Sequence, residues 1–181
     1  MAEKQPIKEL TYRLTDDDYI AFNRYHIQHT KSGRSLVNKT RISYVTIALG
    51  VAALFFIFPF ATKLRIIISV ICAGVAAYGI IFAEKKVLKA NEKAIRSGSM
   101  DISRVREPDN KVTFKGKSFS VEAGSSISEF EYKQIWKIDY TPEGLYIWVS
   151  QNQAMSIPMH AFARRSDGHD LYDWLVQQCE K

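Results

Sequence analysis

Hydrophobic residues follow two different patterns along this chain. Two long runs carry no charged residue: the first extends from Ile42 to Thr62 and the second from Ile66 to Ala83. From residue 97 onward, short stretches alternate between apolar and polar residues and are separated by turn-forming residues. Long uncharged runs favour membrane-spanning helices, whereas alternation with a period of two favours β-strands. The sequence therefore predicts a membrane protein of the α+β class.

Each uncharged run is long enough to cross a bilayer. A spanning helix needs about 20 mostly apolar residues, and we assign the spans to residues 43–62 and 64–83. The alternative is a pair of buried helices in a soluble core, but such helices usually carry a polar stripe, which these runs lack. Pro59 disfavours continued helix, so the short link predicts a two-helix transmembrane hairpin over residues 43–83.

Basic residues predict the orientation of this hairpin. Cytoplasmic flanks of membrane helices are enriched in Lys and Arg. The open end has nine such residues: Lys31, Arg34, Lys39, Arg41, Lys85, Lys86, Lys89, Lys93 and Arg96. The turn has only Lys63 and Arg65. We therefore expect a multi-pass protein of the inner (cytoplasmic) membrane, with both the N- and C-termini in the cytoplasm.

The spans themselves indicate an anchor. They contain no Asp, Glu, Lys or His near their centres, which disfavours a proton relay, channel or transporter made by one copy alone. Small residues, including Gly50, Gly74 and Gly79, can let two helices pack closely, but Ala and Gly are also common in membrane helices in general. Both interpretations of the small residues stay open at this point.

The remaining residues form three predicted segments. Residues 1–42 are expected to hold a short strand at Leu10 and Tyr12, then an amphipathic helix capped by Thr15 and Asp18 and interrupted near Ser32-Gly33. Residues 84–96 predict a basic juxtamembrane helix. Residues 97–181 predict a cytoplasmic antiparallel meander of five to seven strands. A final helix, capped by Ser166 or Asp167, would cover this sheet. Its expected apolar face is Leu171, Trp174, Leu175 and Gln178.

Net charge points to the membrane surface. The chain of 181 residues has 25 Lys+Arg and 19 Asp+Glu, giving a formal charge of +6, yet residues 97–181 are slightly acidic. Nucleic-acid binding would need a basic face on the folded domain, so we expect no nucleic-acid partner. Anionic lipid headgroups fit better, at about 1 kcal/mol for each basic residue near the surface. The candidate contacts are Lys39, Arg41, Lys85, Lys86, Lys89 and Lys93.

Residues with catalytic or metal-binding potential are scattered. His26 and His29 are three residues apart, which is suitable for one metal ion, but no further ligand completes a set. Cys72 and Cys179 match no nucleophile signature. The aromatic density at Trp136, Trp148 and Trp174 fits a core better than a ligand groove. We therefore expect no cofactor, no metal and no enzyme.

Three features together resemble the YcxB-like family of small bacterial membrane proteins. These are the segment YRLTDDDYIAFNRYH (residues 12–26), the close pair of spans with a basic exit, and a C-terminal stretch over residues 130–162. The family-pattern positions are filled by Tyr132, Ile135, Tyr146, Pro158 and Phe162. The family usually has Lys or Arg after the proline, where this chain has Met159 and His160. The resemblance implies a pleckstrin-homology-like C-terminal domain, and no biochemical activity is established for the family.

These expectations combine into a functional hypothesis. The chain would be an integral inner-membrane protein that presents a pleckstrin-homology-like binding or regulatory module. Its partners would be the lipid bilayer and an unidentified membrane or cytoplasmic protein. The alternative is a component of an export or efflux system, acting as a homo-oligomer, because two helices alone cannot form a pore.

Overall fold

The computed structural model describes residues 7–58, 60–99 and 109–180. It divides into two compact units. We call Met1–Tyr25 together with Ala94–Lys181 the sheet unit, and His26–Lys93 the hairpin unit. In sequence, the hairpin unit is therefore inserted between the two parts of the sheet unit.

The described residues contain four α-helices and seven strands. The helices are α1 (Asp16–His29), α2 (Lys31–Ile57), α3 (Thr62–Arg96) and α4 (Arg165–Cys179). The strands are β1 (Glu9–Tyr12), β2 (Asn110–Phe114), β3 (Ser118–Ala123), β4 (Ser126–Glu131), β5 (Lys137–Tyr140), β6 (Gly144–Trp148) and β7 (Ala154–Pro158). Short 3-10 helices occupy Tyr132–Gln134 and Met159–Ala161.

The strands form two antiparallel sheets. Sheet A has the order β1-β2-β3-β4, and sheet B has the order β5-β6-β7. β1 is paired with β2 in a register that places Leu10 opposite Val112. Because β1 precedes both long apolar helices and β2 follows them, sheet A is built from segments on both sides of the hairpin. The pairing of these two segments, expected within residues 1–42 and 97–181, did not follow from the sequence.

Alternation along the strands produces one core in the sheet unit. Inward-facing Val112 and Phe119 are fully buried, as expected when apolar side chains alternate on one face. Helix α4 covers one end of this core, where Trp174 meets the ring of Phe114 edge-on at 6.2 Å. Leu171 and Leu175 of α4 are also fully buried. The predicted covering helix and its apolar face are confirmed.

The start of α4 differs from the expected one. The helix begins at Arg165, and its N-cap is Arg164, so the prediction of Ser166 or Asp167 as the cap was wrong. The Arg164 N–H donates to the Asp167 carboxylate at 3.2 Å. Asp167 therefore does satisfy an orphan backbone donor, but from the first turn of the helix and not from the capping position.

Helix α1 begins as its sequence predicts. The Asp18 N–H donates to the Thr15 hydroxyl at 3.2 Å, and the Thr15 N–H donates to the Asp18 carboxylate at 2.8 Å. This reciprocal pair is a capping box. At the other end, Thr30 separates α1 from α2 and accepts a hydrogen bond from the Gly33 N–H at 3.0 Å. The helix is thus interrupted, but the break lies at Thr30 and not at the predicted Ser32-Gly33, which belong to the first turn of α2.

The hairpin unit contains two helices, α2 and α3, that are long and apolar enough to cross a membrane. Only 6% and 17% of their most apolar windows are buried, unlike the core helices of a water-soluble protein. The start of α2 lies beside the end of α3, since Val37 and Ala83 share a buried cluster. The two helices are therefore antiparallel. Pro59, which the sequence analysis placed at the turn, lies outside the described residues.

Glycines distinguish the packed side of this hairpin. A β-carbon on Gly79 would collide with the Tyr44 ring of α2, whereas a β-carbon on Gly50 or Gly74 would have nothing within 4 Å. Close approach of the helices therefore requires a glycine at position 79. Close packing of the two helices therefore explains the glycine at position 79. It does not explain Gly50 and Gly74, where the general frequency of glycine in membrane helices is the remaining interpretation.

Candidate functional site

Strand β6 is buried along its whole length because both faces of sheet B are covered. One face joins the core, where Leu145 and Ile147 are fully buried. On the other face lies the first part of α1. The ring of Phe22 is 5.4 Å from that of Tyr146 and 5.9 Å from that of Trp148. Helix α1 is therefore an integral part of the sheet unit up to Tyr25.

A carboxylate on β5, that of Asp139, links strand β6 to helix α1. Asp139 accepts hydrogen bonds from the Trp148 indole N–H at 2.9 Å and from the Tyr25 hydroxyl. The Lys137 ammonium lies 2.7 Å from the same carboxylate. Burial and the negative charge of Asp139 raise the pKa of Tyr25 to about 12, so this hydroxyl stays protonated and remains a donor at neutral pH.

A cavity of about 390 Å³ opens between the two sheets. Its volume is within the range of small-molecule and side-chain binding pockets. The inner faces of β3 and β4 form one wall, β7 forms another, and α1 contributes Tyr19 and Phe22. The other lining residues are Tyr12, Leu14, Asn110, Phe119, Val121, Ala123, Ser126, Ser128, Phe130, Val149, Gln153, Ala154, Met155 and Ser156.

The chemistry of this cavity is apolar with neutral polar groups. None of the described residues that line it carries a charged side chain. One polar group is already engaged, because the Tyr12 hydroxyl donates to the Ser156 carbonyl at 2.8 Å and thereby joins β1 to β7. The cavity can therefore accept uncharged, largely apolar groups.

The lining residues were not identified from the sequence, although one signal was present. Ile127 and Phe130 break the alternation of residues 126–132. In the structure Phe130 points inward and lines the cavity, while Ile127 is 70% exposed on the outer face. An apolar residue on each face of β4 therefore departs from the alternation expected of a strand with one buried face.

The candidate lipid contacts lie at the open end of the hairpin. Lys39 and Arg41 are on α2, and the other four are on α3: Lys85, Lys86, Lys89 and Lys93. Five of the six side chains are exposed, and Arg41 is partly buried. The antiparallel helix pair therefore brings these six residues to the same end.

Lys86 differs from its neighbours. Its ammonium group donates to the Tyr44 hydroxyl at 2.6 Å and lies 4.7 Å from the centre of the Tyr78 ring. Both tyrosines stabilise the cation at a fixed place on the hairpin. Tyrosine and lysine together are typical of the membrane–water interface, and the sequence alone did not reveal the contact between these three residues.

The family-pattern residues serve the core. Tyr132 is 3% exposed, and its hydroxyl donates to the Lys115 carbonyl at 2.7 Å. Pro158 is opposite Gly144 at the end of sheet B, and Phe162 packs in the same core, with Ile135 against it. Tyr146 contacts α1, as described above. None of these five residues lines the cavity.

The histidines are placed separately. His26 lies with its Nε2 3.1 Å from the Ser32 hydroxyl, and burial lowers its pKa. His160, next to the family's usual basic position, is 3.5 Å from the Asp18 carboxylate. Within residues 7–58, 60–99 and 109–180, no group of three or more His, Cys, Asp or Glu side chains is arranged to hold a metal ion.

A family model matches part of the chain. Residues 114–173 match the model described as YcxB-like protein. The resemblance predicted from the sequence is thus confirmed over this segment, which runs from the end of β2 into α4. The quoted N-terminal residues 12–26 and the hairpin lie outside the match. No curated protein and no solved structure matches the chain.

Proposed function

We propose that this protein is a non-enzymatic binding or regulatory module anchored in the bacterial inner membrane by α2 and α3. One observation carries the proposal: sheet A joins β1, which precedes the hairpin, to β2, which follows it. If α2 and α3 cross the membrane, both flanks must emerge on the same side for this pairing to form. The excess of basic residues at that end favours the cytoplasmic side.

The sheet unit is the proposed binding module. Two small antiparallel sheets closed by a C-terminal helix support a pleckstrin-homology-like fold, as the family resemblance implies. Its cavity favours binding over catalysis, because a largely apolar pocket without Asp, Glu, His, Lys or Arg side chains is better suited to holding a ligand than to acid–base chemistry near neutral pH.

The open end of the hairpin is the proposed lipid contact. Lys39, Lys85, Lys89 and Lys93 are exposed and can each contribute about 1 kcal/mol of attraction to anionic headgroups. Lys86 would serve a different purpose, since its contacts with Tyr44 and Tyr78 favour a fixed position at the membrane interface.

Cysteine accessibility tests the membrane topology. After replacement of Cys72 and Cys179 by serine, single cysteines are introduced as Lys63→Cys, near the turn of the hairpin, and Lys117→Cys, between β2 and β3. We expect a membrane-impermeant maleimide to label position 117 only in inverted vesicles and position 63 only in right-side-out vesicles. Labelling in the opposite pattern, or release of the protein from membranes at alkaline pH, would overturn the proposal.

Lipid analysis tests the headgroup contact. The full chain is extracted into native nanodiscs, and the anionic lipid retained per protein is measured by mass spectrometry. Replacing Lys85, Lys89 and Lys93 by glutamate should lower this enrichment several-fold, because each substitution turns attraction into repulsion. Glu84→Gln is the control and should leave the enrichment unchanged or slightly increased. An unchanged lipid content in the triple variant would remove the headgroup role.

A further inference from the structure

We propose that the free edge of β4, with the cavity behind it, docks an extended peptide segment of a partner protein in which apolar and basic residues alternate. The inference rests on the proposed function as a binding module and names the partner's chemistry. Addition of a strand to an exposed sheet edge is a common mode of peptide recognition, in which the backbone provides affinity and side-chain pockets provide specificity.

The hydrogen-bonding pattern shows which backbone groups of β4 are turned outward. The Tyr132 N–H, just after β4, donates to the Lys117 carbonyl. In an antiparallel ladder such bonded pairs recur at every second residue, so Phe130, Ser128 and Ser126 also turn toward β3. The backbone groups of Ile127, Glu129 and Glu131 therefore point away from the sheet.

Two of these outward positions offer an open edge. The Glu131 N–H already donates to the Gln134 side chain at 3.1 Å. At Ile127 and Glu129, no described strand pairs with the outward side of β4. An added strand could form ladder hydrogen bonds with both residues.

The edge of β4 carries neither Lys nor Pro. Natural edge strands are commonly guarded by Lys, Pro or a bulge, but β4 has the sequence SISEFE and pairs with β3 in a continuous register. The edge of β7 is different: it ends at Pro158, which has no N–H, and its Ser156 carbonyl accepts from Tyr12. β4 is therefore the better docking edge next to the cavity.

Side chains on the two faces of β4 define the partner's sequence. Ser126, Ser128 and Phe130 point into the uncharged cavity, so alternate side chains of an added strand would enter apolar surroundings. On the outer face lie Ile127, Glu129 and Glu131, and Glu122 of β3 is opposite Ile127. These carboxylates favour basic side chains at the other positions of the peptide.

Glu129 keeps its negative charge in this setting. Its carboxylate accepts from the Ser118 hydroxyl at 2.6 Å and lies 3.3 Å from the Lys115 ammonium. These two contacts lower its pKa. Lys111 of β2 is opposite Glu122, but its ammonium group lies 3.1 Å from the Glu9 carboxylate, so an excess of negative charge remains on this face for a basic peptide.

Binding of a synthetic peptide tests the proposal. The full chain is placed in nanodiscs of zwitterionic phosphatidylcholine, and the probe is a fluorescein-labelled octapeptide of alternating valine and lysine, followed by fluorescence anisotropy. Empty nanodiscs give the background. We expect saturable binding tighter than about 1 mM. A peptide with glutamate in place of lysine should bind at least about tenfold more weakly, because like charges on adjacent strands repel.

Two substitutions locate the site. Ile127→Pro removes one outward N–H without touching the bonds to β3, and Ile127→Val is its matched control. Ala154→Phe fills the cavity from β7, away from the edge. We expect Ile127→Pro and Ala154→Phe each to weaken peptide binding at least about tenfold, while Ile127→Val stays within about twofold. Melting temperatures close to that of the unaltered chain confirm that each variant is folded.

Three results would overturn the proposal: no saturable binding of the lysine peptide, equal binding of the glutamate peptide, or undiminished binding by both the proline and the phenylalanine variants. If Ala154→Phe displaces a co-purifying lipid but leaves peptide affinity unchanged, the cavity holds a lipid chain and the peptide proposal fails. None of these outcomes bears on the proposed membrane topology, because cysteine labelling tests that proposal separately.

Discussion

Removal of a single hydroxyl group, in Tyr12→Phe, tests whether the N-terminal strand belongs to the sheet unit. Tyr12 is 6% exposed, and its hydroxyl donates to the Ser156 carbonyl at 2.8 Å. The substitution keeps the ring, so it creates almost no cavity. It does leave a partly buried carbonyl without its donor, which typically costs about 1–3 kcal/mol. We expect the free energy of unfolding of the sheet unit to fall by about this amount.

Thermal unfolding in detergent, followed by tryptophan fluorescence, measures this effect. Trp148 and Trp174 are both buried in the sheet unit and report on its integrity. For a domain of this size, 1 kcal/mol corresponds to a shift of about 4–8 °C in the melting temperature, so we expect a decrease of at least about 4 °C. Tyr172→Phe is the matched control on α4, and its effect should stay within about 0.5 kcal/mol.

Leu10→Ala provides a stronger test of the same reasoning. Leu10 is 9% exposed and belongs to the core cluster, so its truncation should cost about 2–5 kcal/mol. Thr11→Ala, on the exposed face of the same strand, is the control and should be nearly neutral. If both Tyr12→Phe and Leu10→Ala leave the melting temperature unchanged, β1 is not part of the fold, and β1–β2 pairing no longer requires both flanks of the hairpin to lie on the same side of the membrane.

Three further predictions concern the two units and their ionisable groups. Replacing residues 26–93 by about 12 Gly and Ser residues, a linker with a mean reach of about 19 Å, should give a water-soluble protein with native β-sheet circular dichroism, whereas residues 94–181 alone should remain unfolded. Gly79→Leu should weaken the contact between α2 and α3, measured by cysteine crosslinking between the helices, because the new side chain collides with Tyr44; Gly74→Leu, which meets open space, should have no effect. The sheet unit should keep its urea midpoint up to about pH 10 and lose stability as the pH rises from there toward 12, because the pKa of Tyr25 is raised to about 12 and unfolded tyrosines ionise first. Tyr25→Phe should reduce this alkaline loss, and a pH-independent midpoint over that range would contradict the assignment.

Local elements of the fold were predictable because they depend on neighbours in sequence. The capping box at Thr15 and Asp18 needs only residues three apart. The turn at Gly124 joins β3 to β4 through two residues and has a φ of 59°, a conformation that glycine adopts easily. Such features follow from short-range sterics and hydrogen bonds, so the sequence carries them directly.

Long-range assembly was not predictable in the same way. The pairing of Leu10 with Val112 joins two strands whose sequences give no sign of their partner, because alternation fixes a strand's face but not its neighbour. The burial of Tyr146 under α1 was likewise not predictable from the sequence. Tyr146 is only 2% exposed although it is on the face of β6 opposite to Leu145. The strand sequence GLYIW indicates that both faces of β6 are covered, but it does not indicate that α1 is the element that covers the second face.

The candidate sites also combine features that the sequence predicts with features that depend on long-range contacts. The basic residues at the open end of the hairpin could be grouped from the sequence, since the short turn requires the two helices to be antiparallel. The distinct setting of Lys86 could not, because it depends on Tyr44, which is on the other helix. The cavity depends on β4, β7 and α1 together, so no single segment predicts it.

The insertion of a hairpin into a sheet domain has a consequence for how the domain closes. β1 can pair with β2 only when the chain between them brings its ends together, and for a flexible chain each doubling of loop length costs about 0.6 kcal/mol. A folded hairpin removes most of that cost, because it already holds its own ends close: Ile27 near the end of α1 packs in one cluster with Val37 and Ala83. We therefore expect the glycine at position 79, which permits α2 and α3 to approach, to favour this loop closure. Helix pairing in the hairpin shortens the loop that β1 must close, so we expect the segment that serves as the proposed anchor also to lower the entropic cost of pairing β1 with β2.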